Sequence, residues 1–169
     1  PAAADKIEIP MIASGGFADA RGLVAALALG ADGINMGSRF MCTVESCIHQ
    51  NVKEAIVAGD ERGTELIFRS LHNTARVASN VVSREVVDIL ANGGQFEDVK
   101  DLVAGVRGRK VFDEGDTDAG IWTVGTAMGL INDIPTVHEL VSRMVTEAEG
   151  LITGRLAGMV ATSAQSATV

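Results

Sequence analysis

The chain has 169 residues, of which 47% are hydrophobic and 21% charged, a composition typical of globular domains rather than of disordered or fibrous proteins. Its formal net charge of −8 disfavours attraction to phosphate backbones, so we expect no nucleic-acid partner. The sequence contains neither an apolar run long enough for a membrane span nor a basic leader followed by an apolar stretch, so we expect no membrane partner either.

The first predicted elements are a strand, a tight turn and a helix. The apolar run 6–13 (KIEIPMIA) predicts a buried strand, which leads directly into the glycine turn Ser14–Gly16. Asp19 is a suitable N-cap for a helix that reaches Leu29, with Gly30 in the position of a C′ glycine.

A second strand with a second glycine turn follows this helix. Residues 32–36 (DGINM) predict the strand, and Gly37 and Ser38 form its turn. A strand–helix–strand unit with one intervening helix implies that the two strands are parallel.

The middle of the chain carries helical patterns of apolar residues. One predicted helix ends near Gly59, and a second is capped by Ser83 and stops before Gly93. Apolar residues over 96–106 predict a third helix. Residues 121–131 (IWTVGTAMGLI) also predict a helix, in which two glycines would let another backbone approach closely.

The last helix is the best specified by the sequence. Thr136 followed three positions later by Glu139 predicts a capping box. Apolar residues keep a helical period from Val137 to Leu156. The small and polar residues 162–169 predict a disordered tail.

The two glycine turns, Ser14–Gly16 and Gly37–Ser38, are the feature that points to chemistry. In parallel barrels the active site lies at the carboxyl ends of the strands, and phosphate groups are commonly bound there by glycine-rich turns. The alternative is that these glycines only make tight turns between strands and helices. Neither a Walker sequence nor a GxGxxG motif occurs in this stretch, which argues against a P-loop or Rossmann site.

The stretch around both turns resembles one known family. Residues 10–46 (PMIASGGFADARGLVAALALGADGINMGSRFMCTVES) closely resemble the C-terminal strands of nitronate monooxygenases, formerly called 2-nitropropane dioxygenases. The segments RSLHNTARV, GDTDAGIW and GLI further along are also similar to that family.

The resemblance implies FMN as the cofactor and the two turns as its phosphate site. The matched positions that would contact FMN are Ser14, Gly15, Gly16, Met36, Gly37 and Ser38. The family's catalytic histidine belongs to earlier strands, so the catalytic residue is unknown here and is expected upstream of Pro1. Position 126 is Thr where many members of the family carry Gln.

The implied fold class is α/β: the C-terminal part of a (β/α)8 TIM barrel with a smaller, mostly helical domain. Residues 1–44 would supply the last two βα units, 45–125 the smaller substrate-side domain, and 126–161 helices that return to the barrel. Because a complete barrel needs about 250 residues, we expect the chain to be a fragment that is catalytically incompetent alone and needs the remainder of the barrel.

The resemblance implies an FMN-dependent nitronate monooxygenase that oxidises alkyl nitronates with dioxygen. The alternative on the same fold is an FMN-dependent NAD(P)H:quinone reductase, and a further alternative is a non-catalytic fragment that needs a partner chain. The expected partners are therefore a small nitronate or quinone, and NAD(P)H in the second case.

The remaining polar candidates are more typical of structural roles. His49, His72 and His138 are placed beside neither glycine turn. Arg39 follows the second turn, where it could face a phosphate or form a salt bridge, for example with Asp19.

Asp116 and Asp118 precede a predicted helix, which favours capping over acid–base chemistry. Trp122 could lie over the flavin or simply pack in the core. Cys42 and Cys47 match neither a zinc framework nor a disulfide-rich scaffold, so we expect reduced thiols, a cytoplasmic location and no metal site.

Overall fold

A computed structural model describes residues 1–160 and confirms an α/β fold. Strand β1 (Ile12–Ser14) is followed by helix α1 (Ala20–Ala28) and strand β2 (Gly33–Asn35). The two strands pair in parallel, with Ile12 opposite Gly33 and Ser14 opposite Asn35. The βαβ unit predicted from the sequence is therefore present. The tail predicted over 162–169 lies outside the described residues.

The caps of α1 are the ones that the sequence predicts. The Asp19 carboxylate accepts hydrogen bonds from the N–H groups of Arg21 (2.9 Å) and Gly22 (3.2 Å). Gly30 has a φ of +97°, which suits the left-handed residue that ends a helix. Because these caps depend on residues within a few positions of the helix ends, the local sequence specifies them.

The first strand is shorter than predicted. Residues 1–7 form hydrogen-bonded turns, among them the Lys6 N–H to the Ala3 carbonyl at 3.0 Å. Pro10 lacks an N–H and cannot donate to a strand ladder, so regular pairing begins only at Ile12. Ile12 exposes 57% of its surface and Ile9 74%, so this edge of the sheet carries uncovered apolar side chains.

Helices α2 (Ser38–Met41) and α3 (Gln50–Ala58) follow β2. His49 caps α3, its Nδ1 accepting the N–H of Asn51 at 3.1 Å. The helix ends at Gly59, as the sequence predicts.

An antiparallel hairpin in the middle of the chain departs from the predicted pattern of helices. Strands β3 (Thr64–Ile67) and β4 (Ala75–Ala78) pair with Glu65 opposite Val77. Helix α4 (Val81–Ala91) packs against β3.

Ser83 is not the cap of α4, contrary to the prediction. Asn80 is the N-cap: its side chain accepts the Ser83 N–H, and the Ser83 hydroxyl accepts the Asn80 N–H, both at 2.8 Å. The two side chains form a capping box in which serine takes the place usually held by Glu or Gln.

The single helix predicted over 96–106 is also wrong, because the chain forms α5 (Phe96–Val99) and α6 (Gly105–Glu114) instead. Ala104 lies between them with an extended backbone (ψ 133°). Because of this break, Leu102 and Val103 pack beside the hairpin, whereas Val111 of α6 packs in a separate group of buried side chains.

Residues 121–131 are not an α-helix. The stretch starts extended, with the Trp122 carbonyl accepting the Ala78 N–H at 3.0 Å, and ends in a 3₁₀ helix over Thr126–Leu130. This hydrogen bond to β4 holds the start of the stretch extended, despite the helical spacing of its apolar residues.

Helix α7 (Val137–Gly150) begins with the predicted capping box. The Thr136 hydroxyl accepts the Glu139 N–H at 3.2 Å, and the Glu139 carboxylate accepts the Thr136 N–H at 2.8 Å. The helix continues as a π-helical turn over Leu151–Leu156.

Two main clusters of buried side chains form the core. The larger one joins α3, α6 and the segment 122–131, and the second joins the hairpin to α4. A small third cluster packs Ala20 and Val24 of α1 against Ala148 of α7. The division into domains at 44 and 125 stays a prediction.

Candidate functional site

The two glycine turns follow the carboxyl ends of the two parallel strands. Ser14 and Asn35, the last residues of β1 and β2, lie opposite each other in the parallel register. The Asn35 amide donates a hydrogen bond of 3.1 Å to the Ser14 hydroxyl. The turns that follow, Gly15–Gly16 and Met36–Ser38, are therefore neighbours, as the sequence predicts.

The glycines of both turns present open backbone. Gly15 and Gly16 have φ values of +101° and +80°, a region that favours glycine. A Cβ at Gly15, Gly16 or Gly37 would meet no atom within 4 Å. Within residues 1–160, the N–H groups of Gly16 and Gly37 donate to no protein acceptor. The two turns thus offer backbone N–H donors without a partner in open space, which fits a phosphate group.

Ser38 links the second turn to a distant loop. Its hydroxyl oxygen accepts the Gly125 N–H at 2.9 Å. A serine hydroxyl can accept and donate at once, so its proton is still free to reach an anion at the turn. The sequence does not predict this contact of Gly125, because it joins residues 87 positions apart.

Arg39 turns away from the glycine turns and into the protein. Only 2% of its surface is exposed, and it forms an ion pair with Asp133 at 3.0 Å. A salt bridge is one of the two alternatives that the sequence left open, but Asp19 is not the partner, because Asp19 pairs with Arg21. Asp133 also binds Arg143 of α7 at 2.6 Å.

Two ionisable groups beside this network have shifted pKa values. A hydrogen bond from Arg143, helped by the charge of Arg39, lowers the pKa of the Asp133 carboxyl. Burial raises the pKa of the Cys42 thiol to about 11. Asp133 is therefore held as a carboxylate, and Cys42 as a neutral thiol.

The three histidines contact neither turn. His49 caps α3, His72 is exposed in the hairpin loop, and His138 is exposed in the first turn of α7. His49 thus has a structural role, whereas His72 and His138 are solvated.

Trp122, Asp116 and Asp118 also make contacts that stabilise the fold. Trp122 is buried in the larger cluster and donates its Nε1–H to the Thr117 carbonyl at 3.1 Å. Asp118 caps α4 from a distance by accepting the Val81 N–H at 3.2 Å, and Asp116 accepts the Asp118 N–H. Asp118 therefore caps a helix and Asp116 stabilises a turn, although the helix predicted after them is absent.

In the described part of the chain, no three His, Cys, Asp or Glu side chains cluster closely enough to hold a metal ion. None of the helices within residues 1–160 combines the length and the apolar character needed to cross a membrane.

Comparisons with known proteins show which proteins this chain is similar to. A (3aS,4S,5R,7aS)-5-hydroxy-7a-methyl-1-oxo-octahydro-1H-indene-4-carboxyl-CoA dehydrogenase of Rhodococcus jostii is 28% identical, over 88% of this chain and 52% of that protein. A nitronate monooxygenase of Neurospora crassa is 30% identical, over 84% of this chain and 38% of that protein.

The solved structure of FabK from Thermotoga maritima is 32% identical, with a TM-score of 0.86, over 93% of this chain and 49% of that one. The chain thus spans about half the length, or less, of these proteins. Residues 1–147 match the family model described as nitronate monooxygenase. The chain therefore belongs to the nitronate monooxygenase family.

Proposed function

We propose that these residues form the FMN phosphate site of an FMN-dependent nitronate monooxygenase. The observation that carries the proposal is the pair of open glycine turns at the carboxyl ends of the parallel strands. Backbone N–H groups there can approach phosphate oxygens without hindrance from side chains. The family to which the chain belongs favours the same assignment.

In this proposal the residues of both turns bind the phosphate and hold it in place. Gly15, Gly16 and Gly37 would donate backbone N–H groups, and Ser38 would donate its hydroxyl proton. Ser14 and Met36 would complete the two turns. Bound FMN would supply the redox chemistry, taking electrons from the alkyl nitronate and passing them to dioxygen.

The catalytic histidine expected from the family would come from another part of the complete enzyme. Each histidine of this chain lies away from the two turns, and the chain spans only part of its relatives. We infer that β1 and β2 join further strands of a (β/α)8 barrel, which would cover the exposed side chains of Ile9 and Ile12. Residues 45–125 would form a smaller domain on the substrate side. The cytoplasmic location stays a prediction.

The test uses the complete enzyme with its cofactor. The flavin is released by heating and identified, and the holoenzyme is then mixed anaerobically with an alkyl nitronate or with NADH. Bleaching of the flavin absorbance by the nitronate, with oxygen consumption in air, is the expected result. Reduction by NADH alone, with turnover of a quinone, would establish the alternative reductase. Absence of flavin, or reduction by neither compound, would contradict the proposal.

A further inference from the structure

Arg39 occupies a notable position, because it directly follows Ser38 and yet points into the protein. Its Nη2 donates to the backbone carbonyls of Cys42 and Asp133, both at 3.0 Å. Its Nη1 pairs with the Asp133 carboxylate at 3.0 Å. With 2% of its surface exposed, the side chain is committed to contacts within the fold.

The network extends from this arginine to α7. Asp133 lies 94 positions along the chain from Arg39. Its carboxylate also accepts hydrogen bonds from Arg143 at 2.6 and 3.3 Å. A single carboxylate thus joins the residue after the second turn to the last helix.

Burying a guanidinium is costly, and an apolar side chain of similar volume commonly stabilises a fold as well or better. The arginine Nε gains no partner in the described part of the chain, so the fold does not use every donor of Arg39. What the ion pair does provide for the buried Arg39 is a fixed direction, because a guanidinium matches its acceptors only in one orientation.

We propose that Arg39, held by Asp133, is a positioning residue for phosphate binding. It fixes the backbone of Gly37 and Ser38 so that their donors converge on the phosphate, without touching the phosphate itself. This inference rests on the proposed function, since it assumes that FMN phosphate binds at that turn.

Lys53 offers a matched control in the same region. It is a second buried cation, and its Nζ donates to the carbonyls of Thr43 and Ser46 at 2.7 and 2.8 Å. It therefore stabilises the segment that follows α2 but makes no contact next to Gly37. A variant at Lys53 reports what a general loss of stability in this region does to flavin binding.

The experiment compares FMN with riboflavin, which lacks the phosphate, in the complete enzyme. Dissociation constants for both flavins are measured by flavin fluorescence on wild type, Arg39→Lys, Asp133→Asn and Lys53→Met. We expect Arg39→Lys and Asp133→Asn to weaken FMN binding about tenfold or more, the scale of one lost charged hydrogen bond. Riboflavin binding to these two variants should stay within about twofold of wild type. Lys53→Met should change both flavins by the same factor.

The outcomes separate the two proposals. Equal weakening of both flavins by Arg39→Lys, in an enzyme that prefers FMN, would overturn the positioning role and leave the phosphate site standing. No preference of the wild type for FMN over riboflavin would overturn both. Should the first two variants fail to fold, Arg143→Gln removes only the exposed outer contact to Asp133. It should cause a smaller loss that is again confined to FMN, and an unchanged FMN constant would overturn the inference.

Discussion

The hydroxyl oxygen of Ser38 accepts a hydrogen bond of 2.9 Å from the backbone N–H of Gly125. This contact fixes the orientation of the hydroxyl and connects the second glycine turn to the loop before the 3₁₀ helix. We expect Ser38→Ala to weaken FMN binding by about tenfold, because it removes a phosphate donor and leaves a part-buried N–H unpaired. Titration of the apoenzyme with FMN measures the effect. Ser38→Thr keeps the hydroxyl and should bind nearly as wild type; equal losses in both variants would contradict this role.

The glycines of the two turns should be essential for cofactor binding. Side chains in the double variant Gly15→Val, Gly37→Val would project into the open space where the phosphate is proposed to bind. We expect this variant to purify largely without flavin, as measured by the ratio of flavin to protein absorbance.

Gly93 provides the matched control for this pair. It also has a positive φ, of +88°, and open space around its Cβ position, but it follows α4. Gly93→Val therefore carries the backbone strain of the Gly15 substitution without blocking either turn, and it should keep its FMN. Normal flavin content in the double variant would rule out the phosphate assignment.

The capping box of α7 should contribute measurably to stability. Thr136→Ala removes the side-chain acceptor of the Glu139 N–H and should lower the free energy of unfolding by about 1 kcal/mol. Urea denaturation of the purified protein tests this. Thr136→Ser keeps the acceptor and should unfold close to wild type, whereas an unchanged midpoint for the alanine variant would show that the cap is not needed.

The Asp133 ion pairs should make stability dependent on acid pH. The pKa of Asp133 is lowered in the folded state, so the unfolded chain binds its proton more tightly. The stabilisation is therefore fully present above the ordinary carboxyl pKa of about 4 and is lost as the pH falls through the lower, folded value. Asp133→Asn should be less stable than wild type at neutral pH. Denaturation midpoints measured from neutral pH downwards should converge for the two proteins, and a constant difference would contradict this account.

The two cysteines should differ in reactivity. Burial raises the pKa of Cys42 to about 11, whereas Cys47 is exposed, and only the thiolate reacts. Near pH 8, a thiol reagent should modify Cys47 alone in the folded protein, and Cys42 only after unfolding. Mass spectrometry of the labelled peptides identifies the site. Cys47→Ser should abolish the reaction, and rapid labelling of that variant would show that Cys42 is accessible.

Features that depend on neighbours within a few positions can be predicted from the sequence alone. Asp19 caps α1, and Thr136 with Glu139 begins α7, because each side chain reaches a backbone group two or three residues away. The glycine turns after β1 and β2 were predictable for the same reason. The family could also be identified, because the residues that carry it are contiguous in the chain.

Contacts between residues far apart in the chain depend on the fold as a whole and could not be predicted from local sequence. The hairpin β3–β4 forms because Glu65 and Val77 pair across twelve positions of chain, a choice that local periodicity does not encode. The segment 121–131 has a helical pattern, yet a backbone bond from Ala78 holds Trp122 in an extended conformation. The partner of Arg39 is likewise settled by burial, since a buried guanidinium needs a carboxylate, and the fold brings Asp133 to it.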